Sequence, residues 1–194
     1  MQALTPATPA ATAPAAPLET ITLAGGCFWC VEAAFNVVDG VIEATSGYAQ
    51  GEIAQPSYEQ VCGGRTGHAE AVRIRFDPSR LSLDAVLAMF FTIHDPTTLN
   101  RQGADVGPQY RSGIYFETPG HETTIRAYMA RQAESGTYGG APITTEVEPL
   151  RVFWPAEGYH QRYFERHPDQ GYCQAVIAPK MVKLRQGFAE KLRA

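Results

Sequence analysis

Apolar and polar positions alternate through residues 20–24, where Ile21 and Leu23 are set between threonines, and this period of two predicts a strand. Gly25-Gly26 breaks it. Cys27 then opens a segment over residues 28–38 in which Val31, Ala34, Phe35 and Val38 recur at helical spacing. Asp39-Gly40 turns the chain into a second strand over 41–47, followed by a Gly- and Gln-rich loop to about residue 67. Residues 69–76 form the clearest strand, closed by Asp77-Pro78. Ser82 reads as the N-cap of a helix carrying Leu83, Val86, Leu87 and Phe90, which Asp95-Pro96 stops. A second long loop, 97–109, leads to a strand over 110–117. Thr118-Pro119-Gly120 turns into a helix over 121–134, with Ile125 and Met129 four apart, and a short strand follows over 144–149. The last third is expected to be loop-rich, with one short helix near 156–166. With no internal repeat, the order βαβ…βαβ and then αβ predicts an α+β sandwich of helices over a mixed sheet.

Composition changes this picture mainly at the N-terminus. Residues 1–18 are uncharged, and 14 of the 18 are Ala, Pro or Thr. Pro6, Pro9, Pro14 and Pro17 interrupt any apolar run that an export signal would need, and there is no Arg for a transit peptide. The stretch is expected to be a flexible arm, leaving residues 19–194 as a single domain, with the cytoplasm as the expected compartment. The chain is ordinary globular material at 44% hydrophobic and 19% charged, and 16 Lys+Arg against 20 Asp+Glu gives −4. That balance argues against nucleic-acid binding, and no apolar run is long enough for a membrane span. Four Cys in 194 residues are too few for a disulfide-built fold, so each needs its own account.

Cys27 falls between a glycine turn and a helix start, where free backbone N–H groups and the helix dipole would favour thiolate and make it a nucleophile. A buried structural Cys is the plainer alternative. Zinc would want a second close pair, and Cys62 and Cys173 are isolated. Strand alternation sets His68, Glu70, Val72, Ile74 and Phe76 on one face, with Ala69, Ala71, Arg73 and Arg75 on the other. Glu70 therefore belongs to the apolar face, where desolvation would keep it protonated as a general acid. At the start of a strand it could instead reach water or pair with an Arg. Phe28, Trp29, Tyr58 and Tyr110 could wall a site for a small ligand with one polar oxygen and one apolar group, although aromatics are more often core. His94, His121, His160 and His167 show no ligand spacing and read as surface or helix residues. The basic residues from Lys180 onward read as a solvated tail.

Gly26-Cys27-Phe28-Trp29, Thr66-Gly67-His68-Ala69-Glu70, Gln109-Tyr110-Arg111-Ser112 and Tyr159-His160-Gln161 together resemble the pattern of the A-type peptide methionine sulfoxide reductases. The likeness runs from about Thr20 to Lys180 in the same order. It implies an α+β roll, a two-layer sandwich with a ferredoxin-like core and a mixed sheet, with no metal and no bound cofactor. It further implies that Cys27 attacks the sulfoxide sulfur of the S epimer, that Glu70 gives a proton to the oxygen, and that Tyr58 and Tyr110 hydrogen-bond that oxygen. Phe28 and Trp29 would hold the methyl group, Asp105 would belong to a water-linked network, and His68 joins them as a substrate-site candidate. The chemistry agrees: sulfoxide oxygen leaves poorly until protonated, and its loss would leave Cys27 as a sulfenic acid.

A second thiol must resolve that acid. Cys173, in Gly171-Tyr172-Cys173, resembles the family's resolving position on a flexible stretch. Cys30 stands where the family often has Gly and could close a CxxC disulfide, while Cys62 is read as structural. The implied partners are oxidised proteins and peptides, free methionine sulfoxide, and thioredoxin as external reductant, with a monomeric chain, no nucleic acid and no membrane. Two rivals stay open. A general thiol–disulfide oxidoreductase would use Cys27 and Cys30 and be indifferent to Glu70, and a methionine-binding module would not need Cys27.

Overall fold

The computed structural model describes residues 17–193, so the expected arm lies outside it apart from Pro17 and Leu18. The elements are β1 (Glu19–Gly25), α1 (Phe28–Asn36), β2 (Val41–Ala49), α2 (Tyr58–Cys62), β3 (Ala69–Phe76), α3 (Leu83–Ile93), β4 (Arg101–Gln102), β5 (Asp105–Val106), β6 (Ser112–Phe116), α4 (Pro119–Glu134), β7 (Glu146–Pro149), β8 (Phe153–Pro155), α5 (Tyr163–Arg166) and α6 (Ala178–Phe188). Six strands form one sheet in the order β7-β6-β1-β3-β2-β8, and β4 pairs with β5 apart from it. All neighbours in the large sheet are antiparallel except β6 and β7, which α4 connects in parallel. The βαββαβ run made by β1, α1, β2, β3, α3 and β6 sets its strands in the order β6-β1-β3-β2, which is the ferredoxin-like arrangement.

Alternation decides which face is which. Ile21, Leu23, Val72, Ile74, Ile114 and Phe116 point to the helical side and are buried with Val31, Phe35, Val86, Leu87 and Phe90. Small side chains, Ala24, Ala49, Ala69 and Ala71, line the opposite face with Tyr115, where Leu150 and Phe153 pack on them. Register then fixes the site, because Tyr48 pairs with Glu70 across β2 and β3, and Tyr48 pairs with Trp154 of β8.

Close approach of β8 leaves no room at Gly47. A Cβ there would lie within 2.5 Å of the Trp154 carbonyl and run into the Phe153 ring. Gly47→Ala is expected to cost about 1–3 kcal/mol, read as a lower midpoint in a denaturant titration with an unchanged slope.

The C-terminus departs from the sequence expectation. Instead of loops and a solvated tail, a π turn (Cys173–Ile177) runs into α6. Cys173, Ile177, Met181 and Leu184, spaced at four, four and three, are its buried face against α1 and α3. The helix expected near 156–166 shrinks to α5. Tyr110 closes a 3-10 turn (Pro108–Tyr110) rather than opening a strand. The short elements α2, β4, β5 and β8 lie in segments read as loops. Of the histidines expected at surface or helix positions, His121 lies on α4 and His94 caps α3, yet both are buried, as is His160, and His94 is held between the Phe90 carbonyl and Ser112 Oγ. No helix among the described residues is long and apolar enough to cross a membrane.

Candidate active site

Gly26 adopts φ +84°, a left-handed conformation that turns β1 into α1 and favours glycine. Cys27 is the N-cap of α1, and its carbonyl accepts the Cys30 N–H at 3.1 Å. The N-cap side chain makes no capping bond, and Glu70 Oε2 takes the Phe28 N–H at 3.0 Å. Glu70 is 1% exposed, on the helical face of β3. It reaches neither water nor an arginine. Burial pushes its carboxyl up to about 8, with the Phe28 N–H pulling the other way, so it is a neutral acid at pH 7.

The expected depressed Cys27 thiol is not what burial allows. Desolvation first, then the hydrogen bond to Cys30 and the nearby Glu70, raise it well above an ordinary thiol. Cys30 moves oppositely, down to about 7, because the Cys27 thiol hydrogen-bonds its sulfur and Lys180 adds a positive charge against the cost of burial. The first proton of the pair is therefore lost from Cys30, with the Cys27 thiol donating to its sulfur.

Tyr58 begins α2, whose Ser57 N-cap and Gln60 form a capping box. Glu157 fixes the entry, accepting the Tyr58 N–H at 2.9 Å and the Tyr48 hydroxyl at 2.7 Å. The Tyr58 ring stacks with Phe28 at 6.4 Å between centroids. Burial raises the Tyr58 and Tyr110 phenols, and the nearby Glu70 adds to both, so each stays a hydrogen-bond donor. Trp29 donates Nε1–H to His160 Nδ1 at 3.1 Å and lies flat on Tyr163 at 3.8 Å, which locks the indole. His160 also packs on Phe28 and Tyr58, and burial lowers its pKa. His68 has no ring nitrogen left for a ligand: Nδ1 accepts from Gly51 N–H and Nε2 donates to the Ile53 carbonyl, bracing that loop. Asp105 accepts the Tyr172 hydroxyl at 2.7 Å.

The fold therefore gathers Cys27, Cys30, Glu70, Phe28, Trp29, Tyr58, Tyr110 and Asp105 at one end of β2 and β3. Cys173 is buried beneath its own helix rather than carried on a flexible stretch. Cys62 is exposed at the end of α2, within hydrogen-bonding reach of the Tyr58 phenol, and is no buried structural thiol. Among the described residues no cluster of His, Cys, Asp and Glu is placed to hold a metal ion.

Tyr172 and Glu157 carry no assigned site role in the sequence, and Lys180 reads there as part of a solvated tail. Tyr172 had a signal in its place beside Cys173, whereas nothing local marks Glu157. The Tyr172 hydroxyl reaches both Cys27 and Cys30 and lowers both thiols. Tyr172→Phe should move the midpoint of iodoacetamide labelling at the pair upward by up to about one pH unit, followed by mass mapping against pH. An unchanged midpoint would remove Tyr172 from the electrostatics of the pair.

Residues 19–192 match the family model described as Peptide methionine sulfoxide reductase. The chain is 51% identical over 182 residues to the peptide methionine sulfoxide reductase MsrA of Deinococcus radiodurans, covering 94% of this chain and 88% of that one. Its fold is similar to that of methionine sulfoxide reductase A of Corynebacterium diphtheriae, with a TM-score of 0.76, 35% identity and coverage of 81% and 78% of the two chains. It is also similar to Mxr1 from Saccharomyces cerevisiae in complex with Trx2, with a TM-score of 0.53, 25% identity and coverage of 75% and 84%. Since the match begins at the first residue of β1 and runs past α6, over a thiol pair set against a buried neutral acid, the chain belongs to the peptide methionine sulfoxide reductase family.

Proposed function

We propose that this reductase acts on the S epimer of methionine sulfoxide, free and in proteins, with Cys27 as nucleophile and Glu70 as proton donor. The carrying observation is Glu70 itself, a carboxyl pushed up to about 8 and hydrogen-bonded to the residue next to Cys27. The Cys27 thiolate attacks the sulfoxide sulfur while Glu70 protonates the oxygen, with Tyr58 and Tyr110 donating to that oxygen. Thiolate, proton and sulfoxide become a Cys27 sulfenic acid and methionine. The methyl group sits against Phe28 and Trp29, and Asp105 steadies Tyr172 over the thiols.

A second thiol of the site, Cys30 or Cys173, then displaces water from the sulfenic acid to give a disulfide. A thioredoxin reduces it, in keeping with the Mxr1 complex with Trx2 and with a reducing compartment such as the cytoplasm. Residues 19–194 act as one catalytic domain, a reading that the span of the family match supports.

The test is a single turnover. Fully reduced protein mixed with an S-epimer sulfoxide peptide and no reductant should form methionine with oxidation at Cys27, and should leave the R epimer intact. Methionine without any change at Cys27, or none at all, would sink the mechanism.

A further inference from the structure

The three groups that would meet the sulfoxide oxygen lie on three separate pieces of chain. Glu70 is the second residue of β3, Tyr58 opens α2 behind its capping box, and Tyr110 closes the 3-10 turn between β5 and β6. The turn is the weakest of these supports. Its own bonds are the Tyr110 N–H to the Gly107 carbonyl at 3.0 Å and the Arg111 N–H to the Pro108 carbonyl at 3.4 Å. Hydrogen bonds of 3-10 type are poorly aligned, and a donor misplaced by about 1 Å can cost about a hundredfold in rate.

The side chains on either side of Tyr110 supply what the turn lacks. Gln109 is buried and donates Nε2–H to the Cys62 carbonyl at 3.3 Å, at the end of the helix that Tyr58 opens. Arg111 spreads its guanidinium over three segments. Nη1 donates to the Pro108 carbonyl at 3.0 Å, Nη2 to the Gly67 carbonyl at 3.1 Å, and Nε to Glu146 Oε2 at 3.0 Å. Glu146 on β7 also accepts the Tyr115 hydroxyl at 2.8 Å, so the carboxylate that aims the fork is itself held. Gly67 is an equally firm anchor, since the ring of the next residue, His68, is bonded through both nitrogens and β3 starts directly after it.

We propose that Arg111 is the positioning residue for Tyr110: it ties the turn to the entry of β3 and so sets the phenol against Glu70 before substrate arrives. This rests on the reductase reading above, in which Tyr110 donates to the sulfoxide oxygen. The role is one of geometry and not of charge. Burial, the Phe28 N–H, Asp105 and Cys30 set the Glu70 carboxyl, while burial, Glu70, Cys62, Asp105 and Cys27 set the Tyr110 phenol, and Arg111 is not what shifts either. Three acceptors on three segments call for a fork. A guanidinium offers each its own nitrogen in one rigid plane, whereas a lysine ammonium is a point charge on a flexible stem and cannot span them.

A double-mutant cycle on the full chain decides, read as the single-turnover rate of methionine formation at saturating sulfoxide peptide and the peptide concentration giving half that rate. Arg111→Lys and Arg111→Gln should both lower the saturating rate by about tenfold, with half-saturation held within about twofold. The fall of rate above about 8 should persist in both, because the Glu70 carboxyl is untouched. In a Tyr110→Phe background Arg111→Lys should cost less than about twofold, since no hydroxyl is left to place. Glu146→Gln, which loosens the fork without touching the turn, should give a smaller loss that also vanishes with Tyr110→Phe. Losses that multiply across Arg111 and Tyr110 overturn the positioning role and leave the reductase reading intact. So does an Arg111→Lys variant at the wild-type rate, or one in which half-saturation rises while the rate holds. A Tyr110→Phe variant at the wild-type rate removes the donor and the proposal with it, and no methionine from the wild type overturns the reductase reading itself.

Discussion

Glu70→Gln should lower the single-turnover rate of methionine formation by about 10²- to 10⁴-fold, the range for loss of a positioned proton donor. On the proposed mechanism the wild-type rate needs two opposed protonation states, a thiolate in the Cys27–Cys30 pair and a neutral Glu70. Cys30 is pulled down to about 7 by its hydrogen bond with Cys27, and burial lifts Glu70 to about 8. The rate should therefore rise with pH up to about 7 and fall above about 8, and the alkaline fall should vanish in the residual rate of the Gln variant. Stability gives an independent readout. The folded carboxyl titrates above its ordinary 4.5, so the contribution of its neutral form is complete below about 4.5 and is lost as pH rises through about 8. The advantage of Glu70→Gln in melting temperature over wild type should grow between pH 5 and 9, by the equivalent of a few kcal/mol. A gap flat with pH would mean that Glu70 is charged in the fold, and would remove it as the acid.

Much of this site was legible because β3 obeys a period of two without interruption. Val72, Ile74 and Phe76 on one face assign Glu70 to the same face, and the structure buries it there. The glycine break before Cys27 placed the thiol at a helix start in the same way. What could not be read was the sign of the Cys27 shift. A helix N-terminus favours thiolate, but the Phe28 N–H is taken by Glu70 and the Cys27 sulfur is buried, so burial wins. The C-terminal helix was missed for another reason. Charges at Lys180, Lys183 and Arg185 suggested a tail, while Ile177, Met181 and Leu184 between them carry a narrow apolar stripe that is enough to dock on α1 and α3. Glu157 is silent in sequence because its two partners, Tyr48 and Tyr58, lie about a hundred residues away along the chain.

Tyr58→Phe and Tyr110→Phe should each lower kcat by about tenfold to a hundredfold, and the double variant by more than either single, with KM little changed. Both phenols are raised by burial and by the nearby Glu70, so they donate rather than ionise throughout the working pH range. Their bonds to the sulfoxide oxygen should strengthen as the S–O bond breaks and negative charge gathers there, which is why kcat and not KM should carry the loss. Removing the hydroxyl keeps the Tyr58 ring on Phe28 and uncovers only Cys62, which is already exposed, so the fold should not suffer. Because the two donors would share one oxygen, the double loss should fall short of the product of the singles. The pH profile separates their role from that of Glu70. Each Phe variant should keep the wild-type fall above about 8, since that limb belongs to the carboxyl. Wild-type kcat in both single variants would leave the oxygen to Glu70 alone, and a fall in which KM rises while kcat holds would make the tyrosines groups that bind substrate without assisting its reduction.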